Sequence, residues 1–221
     1  MKYNFKTVLF DLDGTLCNTA PDIVISTNQT LAFFGFEPIE YTVVAGFIGD
    51  GIETLVRRAI EYASSEKSCD QQLLSQAVKK YRTIYDRNLL RTTHPYPGVT
   101  ATLAVLNDYR LSVISNKAYY FTRRILDHFK MTSYFDCILG GDSLTTRKPN
   151  PEPLKFILQQ FDCPSHQALF VGDSEKDLIA ARQIEMPVCL VSYGMRTATE
   201  LAVLNPDFLI DKFADLREIL G

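Results

Sequence analysis

Val8-Leu9-Phe10-Asp11-Leu12-Asp13-Gly14-Thr15-Leu16 places two carboxylates, two residues apart, directly after a short apolar run, and a Gly-Thr pair then turns the chain. Side chains alternate along a continuing strand, but a turn starting at Asp11 can bring both acids to one place at the strand's carboxyl end. Ligand sites of parallel α/β sheets lie there. Adjacent carboxylates suit a hard cation such as Mg²⁺, or a nucleophile beside a general acid/base. Read alone, the same run is also a plain acidic turn, since Asp and Gly are turn formers. The rest of the chain decides between these readings.

Working outward, short β-rich runs recur at Thr7–Phe10, Leu111–Ser115, Cys137–Leu139, Ala168–Val171, Val188–Val191 and Phe208–Ile210. Helical patterns separate the later ones, at Val99–Asp108, Tyr119–Phe129, Pro151–Phe161, Ser174–Gln183 and Thr197–Leu204. This alternation predicts an α/β fold: a doubly wound, Rossmann-like parallel sheet covered on both faces. Asn150-Pro151 reads as a helix start, with Asn as cap and Pro in the first turn.

The interval from residue 18 to 91 breaks the alternation. Ile52, Leu55, Val56, Ala59 and Ile60 form the stripe of one amphipathic helix, and Leu74, Val78, Tyr81 and Tyr85 that of another. Asp22–Phe34 is a third, with Pro21 at its mouth. The expected organisation is a core domain of residues 1–17 and 92–221 with an all-helical cap domain, 18–91, inserted after the first strand. Thr92-Thr93-His94-Pro95-Tyr96-Pro97-Gly98 has the composition of the return linker. A cap on two linkers can open, close and exclude water.

Composition narrows the function. The 221 residues are 46% hydrophobic and 22% charged, with a formal net charge of -3; that is globular, with no basic field for a nucleic-acid partner. No apolar run reaches the ~20 residues of a membrane span. Met1-Lys2-Tyr3-Asn4-Phe5-Lys6 leads into too few apolar residues for a signal-peptide core. Cys17, Cys69, Cys137, Cys163 and Cys189 are scattered, which predicts reduced thiols and a cytoplasmic setting. A monomer and a homodimer fit the chain equally well.

Three further signals follow the helical block. Ser115-Asn116 ends the second core strand with neutral donors. Lys148 in Arg147-Lys148-Pro149-Asn150-Pro151 precedes a helix. Asp173 in Gly172-Asp173-Ser174-Glu175-Lys176-Asp177 ends another strand, with Asp177 four residues on. Each has a plain reading: turn chemistry, a solvated lysine, a Ser-x-x-Asp capping box. Together they would face one carboxyl edge and supply what phosphoryl transfer needs: nucleophile, metal, cation and neutral donors.

The ordered set, DLDGT, then Ser-Asn, Lys-Pro and GDSEKD, resembles the haloacid dehalogenase-like superfamily over essentially the whole chain, specifically its phosphatases with a helical cap after the first strand. The resemblance implies a Mg²⁺-dependent phosphatase. Asp11 would attack phosphorus and become an aspartyl phosphate; Asp13 would protonate the leaving oxygen and then activate water. Mg²⁺ would be held by Asp11, the backbone carbonyl of Asp13, and Asp173, with Asp177 orienting from behind. Ser115, the Asn116 backbone and Lys148 would hold phosphoryl oxygens, and Gly14 would allow close backbone approach. The dehalogenase branch lacks the second Asp and needs no metal, and transport ATPases carry membrane spans, so neither fits.

The helical block bears on the substrate. Gly49-Asp50-Gly51 lies just before a helix start, where backbone N–H groups can receive an anion, and Arg57-Arg58 follows. Phosphoglycolate phosphatases carry a similar segment, so the chain resembles that subgroup, with Gly49, Asp50, Gly51 and Arg57 as candidate specificity residues. Arg57 and Arg58 lie off the apolar stripe and read equally well as solvated. A small phosphate ester, foremost 2-phosphoglycolate, is the expected substrate. Pyrophosphate, a sugar phosphate or a β-phosphoglucomutase-like transfer are the alternatives in kind, and a regulatory binding protein on the same fold is the non-enzymatic one.

Overall fold

A computed structural model describes residues 4–65 and 68–221; Met1–Tyr3, part of the stretch read for a signal peptide, lies outside them. The chain divides into two compact units, one formed by the sequence up to Asn18 with Pro95–Gly221, the other by Thr19–His94. In chain order the elements are β1 (Thr7–Phe10), β2 (Cys17–Asn18), α1 (Ala20–Phe33), α2 (Tyr41–Gly46), α3 (Ile52–Ser64), α4 (Gln71–Asn88) and β3 (His94–Pro95). They continue with α5 (Val99–Leu103), β4 (Arg110–Ile114), α6 (Tyr119–His128), β5 (Cys137–Leu139), α7 (Glu152–Gln160), β6 (Ala168–Gly172), α8 (Glu175–Arg182), β7 (Val188–Val191), α9 (Ala198–Val203), β8 (Phe208–Ile210) and α10 (Leu216–Leu220).

The first unit is built on a six-stranded sheet in the order β5-β4-β1-β6-β7-β8, every neighbouring pair parallel. β1 is central: Leu9 faces Ser112 on one side and Phe170 on the other. Parallel strands need helical crossovers, so both faces are covered and the strands are apolar throughout. Val8, Leu9, Phe10, Leu169, Phe170 and Val171 are accordingly sealed from solvent. Leu154, Ile157, Leu178 and Ala181 of α7 and α8 pack into one cluster with Leu9, Ile114 and Phe170.

Two local expectations shift. The helix read over Val99–Asp108 stops at Leu103, because i→i+3 bonds from Val105 and Leu106 tighten the chain into a turn at Asn107-Asp108. The helix read from Pro151 begins at Glu152 with Pro151, not Asn150, at the cap position; Asn150 lies one residue further out, where its Oδ1 accepts the Glu152 N–H at 2.9 Å.

The second unit is helical between its ends. Leu55, Val56, Ala59 and Ile60 of α3 and Leu74, Tyr81 and Tyr85 of α4 are among its buried residues, as their stripes predict; Ile52 and Val78 are only half-buried, and Ala77 is buried in addition. Asp70 caps α4 by accepting the Leu73 N–H at 2.8 Å. Asp22 near the start of α1 is fully buried, and its carboxylate accepts from both the N–H and the hydroxyl of Thr92 and of Thr93, at 2.7–3.1 Å. These four donors offset the cost of burying the charge and tie the return segment to α1.

Candidate active site

β1, β4 and β6 end side by side, which brings Asp11, Ser115 and Asp173 to one carboxyl edge. The Asp11 N–H still donates to Val171 at 2.9 Å, extending the ladder to the acid itself. The chain then folds back: the Leu16 and Cys17 N–H groups donate to the Leu12 carbonyl at 3.0 and 2.9 Å, and that of Gly14 to the Cys17 carbonyl at 2.9 Å. Gly14 has φ +86°, and a Cβ there would sit 2.1 Å from Asp173 Oδ2. Only glycine fits both the backbone and the space. The close approach it permits is to Asp173.

Lys148 is the charge hub. Its ammonium lies 3.0 Å from Asp11 Oδ1 and 2.7 Å from Asp177 Oδ1, with lysine and Asp177 nearly sealed from solvent. The Asn116 side chain donates to the Lys148 carbonyl at 2.8 Å, fixing the lysine's backbone and turning that amide inward. Asp177 Oδ2 accepts the N–H groups of Asp173 and Ser174 at 3.2 and 3.1 Å and the Ser174 hydroxyl at 2.7 Å. The capping box and the ion pair are thus the same carboxylate: one oxygen starts α8, the other holds Lys148.

Burial in a crowd of like charges sets the electrostatics. Asp11 is pushed up to about 7, first by desolvation and then by the Asp177 and Asp13 carboxylates, against the pull of Lys148. Asp173 is raised well above the carboxylate range by burial, Asp177 and Asp11. Burial alone would lower Lys148, but the carboxylates of Asp11 and Asp177 outweigh it and hold the amine above its ordinary range. One ammonium does not satisfy this set. Ligand oxygens of Asp11, Asp173 and Asp177 lie within 4.8 Å of one another, and the ammonium at 3.0 Å from Asp11 Oδ1 is shared with Asp177. Hard, close and under-neutralised oxygens fit a divalent cation such as Mg²⁺. With both Asp177 oxygens engaged, Asp11 and Asp173 are the side chains suited to ligate.

Ser115 is buried beside this cluster, its Oγ accepting the Lys117 N–H at 3.2 Å. Two contributors were not legible beforehand. Lys117, one residue past the Ser-Asn pair, is buried with its ammonium 3.2 Å from Asp13 Oδ2. Its position directly after a strand-end Ser-Asn was the available signal. The loop after β7 also enters: Met195 N–H donates to Asp173 Oδ2 at 2.8 Å, and the Tyr193 hydroxyl to the Thr15 carbonyl at 2.9 Å. A Cβ on Gly194 would lie 2.5 Å from both Asp173 Cβ and the Gly14 carbonyl. Backbone donors leave no residue-type signature, so no pattern pointed to this loop.

In the helical unit, Gly49 and Gly51 have φ of +110° and +82°, and Gly51 caps α3. Asp50 pairs with Arg58 at 2.7 Å, and Arg57 with Glu53 at 2.7 Å on the exposed face. Both arginines have carboxylates of their own unit as partners.

The haloacid dehalogenase-like hydrolase family model matches residues 8–191. A phosphoglycolate phosphatase of Haemophilus influenzae is 35% identical over the full length of both chains. A plasmid-borne phosphoglycolate phosphatase of Cupriavidus necator is 38% identical over 96% of this chain and 92% of that one. The crystal structure of a predicted phosphoglycolate phosphatase from Haemophilus somnus superposes with a TM-score of 0.94 at 33% identity, covering 99% of each chain.

Proposed function

We propose that this chain, which belongs to the haloacid dehalogenase-like hydrolases and is a phosphoric monoester hydrolase, is a Mg²⁺-dependent phosphatase of 2-phosphoglycolate working through an aspartyl phosphate on Asp11. The observation that carries the reading is the buried cluster of Asp11, Asp173, Asp177 and Lys148, whose carboxylates outnumber its ammonium. A site of net negative charge repels a phosphate dianion unless a cation resides there. Mg²⁺, held by Asp11, Asp173 and the Asp13 backbone carbonyl, would supply the positive charge that lets dianion and nucleophile meet.

The remaining steps belong to the chain's own groups. An oxygen of Asp11 forms the bond to phosphorus as the ester P–O bond breaks, and the electron pair leaves on the ester oxygen. Asp13 gives that oxygen a proton, then accepts one from the water that cleaves the acyl phosphate. Lys148 and Ser115, with the Asn116 backbone, hold phosphoryl oxygens, while Asp177 keeps the Lys148 ammonium in place. The inserted helical unit acts as the cap, and its Gly49-Asp50-Gly51 segment, followed by Arg57, reads the substrate's carboxylate. The naming of full-length relatives as phosphoglycolate phosphatases supports that substrate. Five free thiols support a reducing, cytoplasmic setting.

The test is steady-state hydrolysis, with Mg²⁺, of 2-phosphoglycolate, pyrophosphate, β-glucose 1-phosphate, glucose 6-phosphate and p-nitrophenyl phosphate. A kcat/KM for phosphoglycolate at least ~100-fold above the others, about 2.7 kcal/mol of discrimination, is expected. A flat profile would reject the substrate and leave the phosphatase.

A further inference from the structure

We infer that Lys117 is a positioning residue for Asp13: its buried ammonium holds one carboxyl oxygen so that the other presents its proton to the leaving group. The inference rests on Asp13 being the proton carrier. A lysine at a strand-end turn would ordinarily reach solvent, because burying an ammonium costs several kcal/mol unless a partner repays it. Here the Lys117 side chain is only 5% exposed, and its Nζ lies 3.2 Å from Asp13 Oδ2. Lys148 already serves Asp11 and Asp177. Lys117 is therefore a second buried cation directed at a different acid.

The segment that delivers this ammonium is fixed at several points. The Lys117 N–H donates to Ser115 Oγ at 3.2 Å, and its carbonyl accepts the Gly141 N–H at 2.7 Å and the Thr122 hydroxyl at 3.3 Å. Gly141 can approach so closely only without a side chain, since a Cβ there would lie 2.2 Å from the Asn116 carbonyl. The Asp13 backbone is equally set, by the Asp13–Cys17 bridge and the bond from Gly14 to Cys17. The ammonium restrains the Asp13 carboxyl group through Oδ2. Oδ1 is then the oxygen from which the general acid delivers its proton. As an Asp11 oxygen bonds to phosphorus and the ester P–O bond breaks, that proton passes to the leaving oxygen. Asp13 is left as a carboxylate facing Lys117.

The test is the dependence of kcat/KM on leaving-group acidity across ring-substituted phenyl phosphates of similar shape, ending at p-nitrophenyl phosphate. Lys117→Met, Lys117→Arg and Asp13→Ala are compared with wild type. A leaving group that needs a proton should suffer when the proton is misplaced; p-nitrophenolate needs none. Lys117→Met is expected to lose about 30-fold on the least acidic phenol and under about 3-fold on p-nitrophenol, within the span of general acid catalysis, with Lys117→Arg recovering part of the loss. Asp13→Ala should show the same steep dependence. A uniform loss across the series in Lys117→Met, with a steep one in Asp13→Ala, overturns the role of Lys117 alone. Flat behaviour in both rejects Asp13 as proton carrier and this inference with it. A rise confined to KM for a carboxylate-bearing substrate would make Lys117 a substrate contact and overturn the inference. Should Lys117→Met fail to fold, Lys117→Gln keeps a polar head at the same site and reads the same slope.

Discussion

Asp11–Cys17 after β1 and Gly49–Glu53 at the head of α3 are built from similar parts: glycines at positive φ, acids and nearby cations. Their surroundings differ. Lys148 is 2% exposed and bridges carboxylates that are 12% and 1% exposed. In the helical unit, Arg58 and Asp50 are 41% and 22% exposed, and Arg57 and Glu53 45% and 57%. Exposed pairs are worth at most about 1 kcal/mol, whereas removing one partner of a buried pair costs about 3–5 kcal/mol. Charge is therefore costly to alter at the sheet edge and cheap to alter on α3. An arrangement of this kind can keep its buried charges while the surface of α3 changes.

The contrast can be broken at several points, and the largest effect is expected at Asp11. Asp11→Asn keeps the shape and removes the carboxylate proposed as nucleophile. Turnover of p-nitrophenyl phosphate should fall at least ~10⁴-fold with circular dichroism unchanged, and a loss below tenfold would place the nucleophile elsewhere. Next is Lys148→Ala, which strands Asp11 and Asp177 without their ammonium. It should cost about 3–5 kcal/mol of unfolding free energy and ~10²–10³ in kcat; denaturant titration and steady-state kinetics read the two.

The metal-free protein sharpens the electrostatic side. Asp11 is raised from 3.8 to about 7 in the folded chain, so the folded state holds more protons than the unfolded one between those pH values. Stability contributed by that proton is complete below about pH 4 and is lost as pH rises through about 7. Thermal melts of chelator-treated protein should show Tm falling across that interval. If Mg²⁺ is held by the ionised carboxylate as proposed, adding it should raise Tm, and by more at pH 8 than at pH 5. An equal Mg²⁺ effect at both would contradict the cluster as its site. The smallest change is expected on the helical unit: Arg57→Ala should alter unfolding free energy by under about 0.5 kcal/mol and leave kcat for p-nitrophenyl phosphate unchanged. A tenfold fall in that kcat would erase the division between the two regions.

Much of the core was legible because a parallel sheet imposes simple rules on sequence. β1, β5, β7 and β8 coincide with apolar runs bounded by turn residues, and Asp11, Ser115 and Asp173 follow from where strands end. The rest was hidden for definite reasons. Lys117 has the residue type of a solvated lysine, and only the fold of its loop turns it inward. Met195 contributes a backbone N–H, which any non-proline residue would offer. α2, Tyr41–Gly46, is too short for a periodic stripe, and β2 and β3 have two residues each. For Arg57 the helix phase put it off the apolar face, and the structure finds it paired with Glu53 there.

The chemistry assigned to Asp11 is tested most directly by trapping. Enzyme with Mg²⁺ is mixed with substrate labelled in its phosphoryl group, quenched in acid at millisecond times and digested. The predicted result is label on the peptide containing Asp11, absent when Asp11→Asn is treated alike. Continued turnover with no label on that peptide, or label on another residue, would contradict Asp11 as the nucleophile.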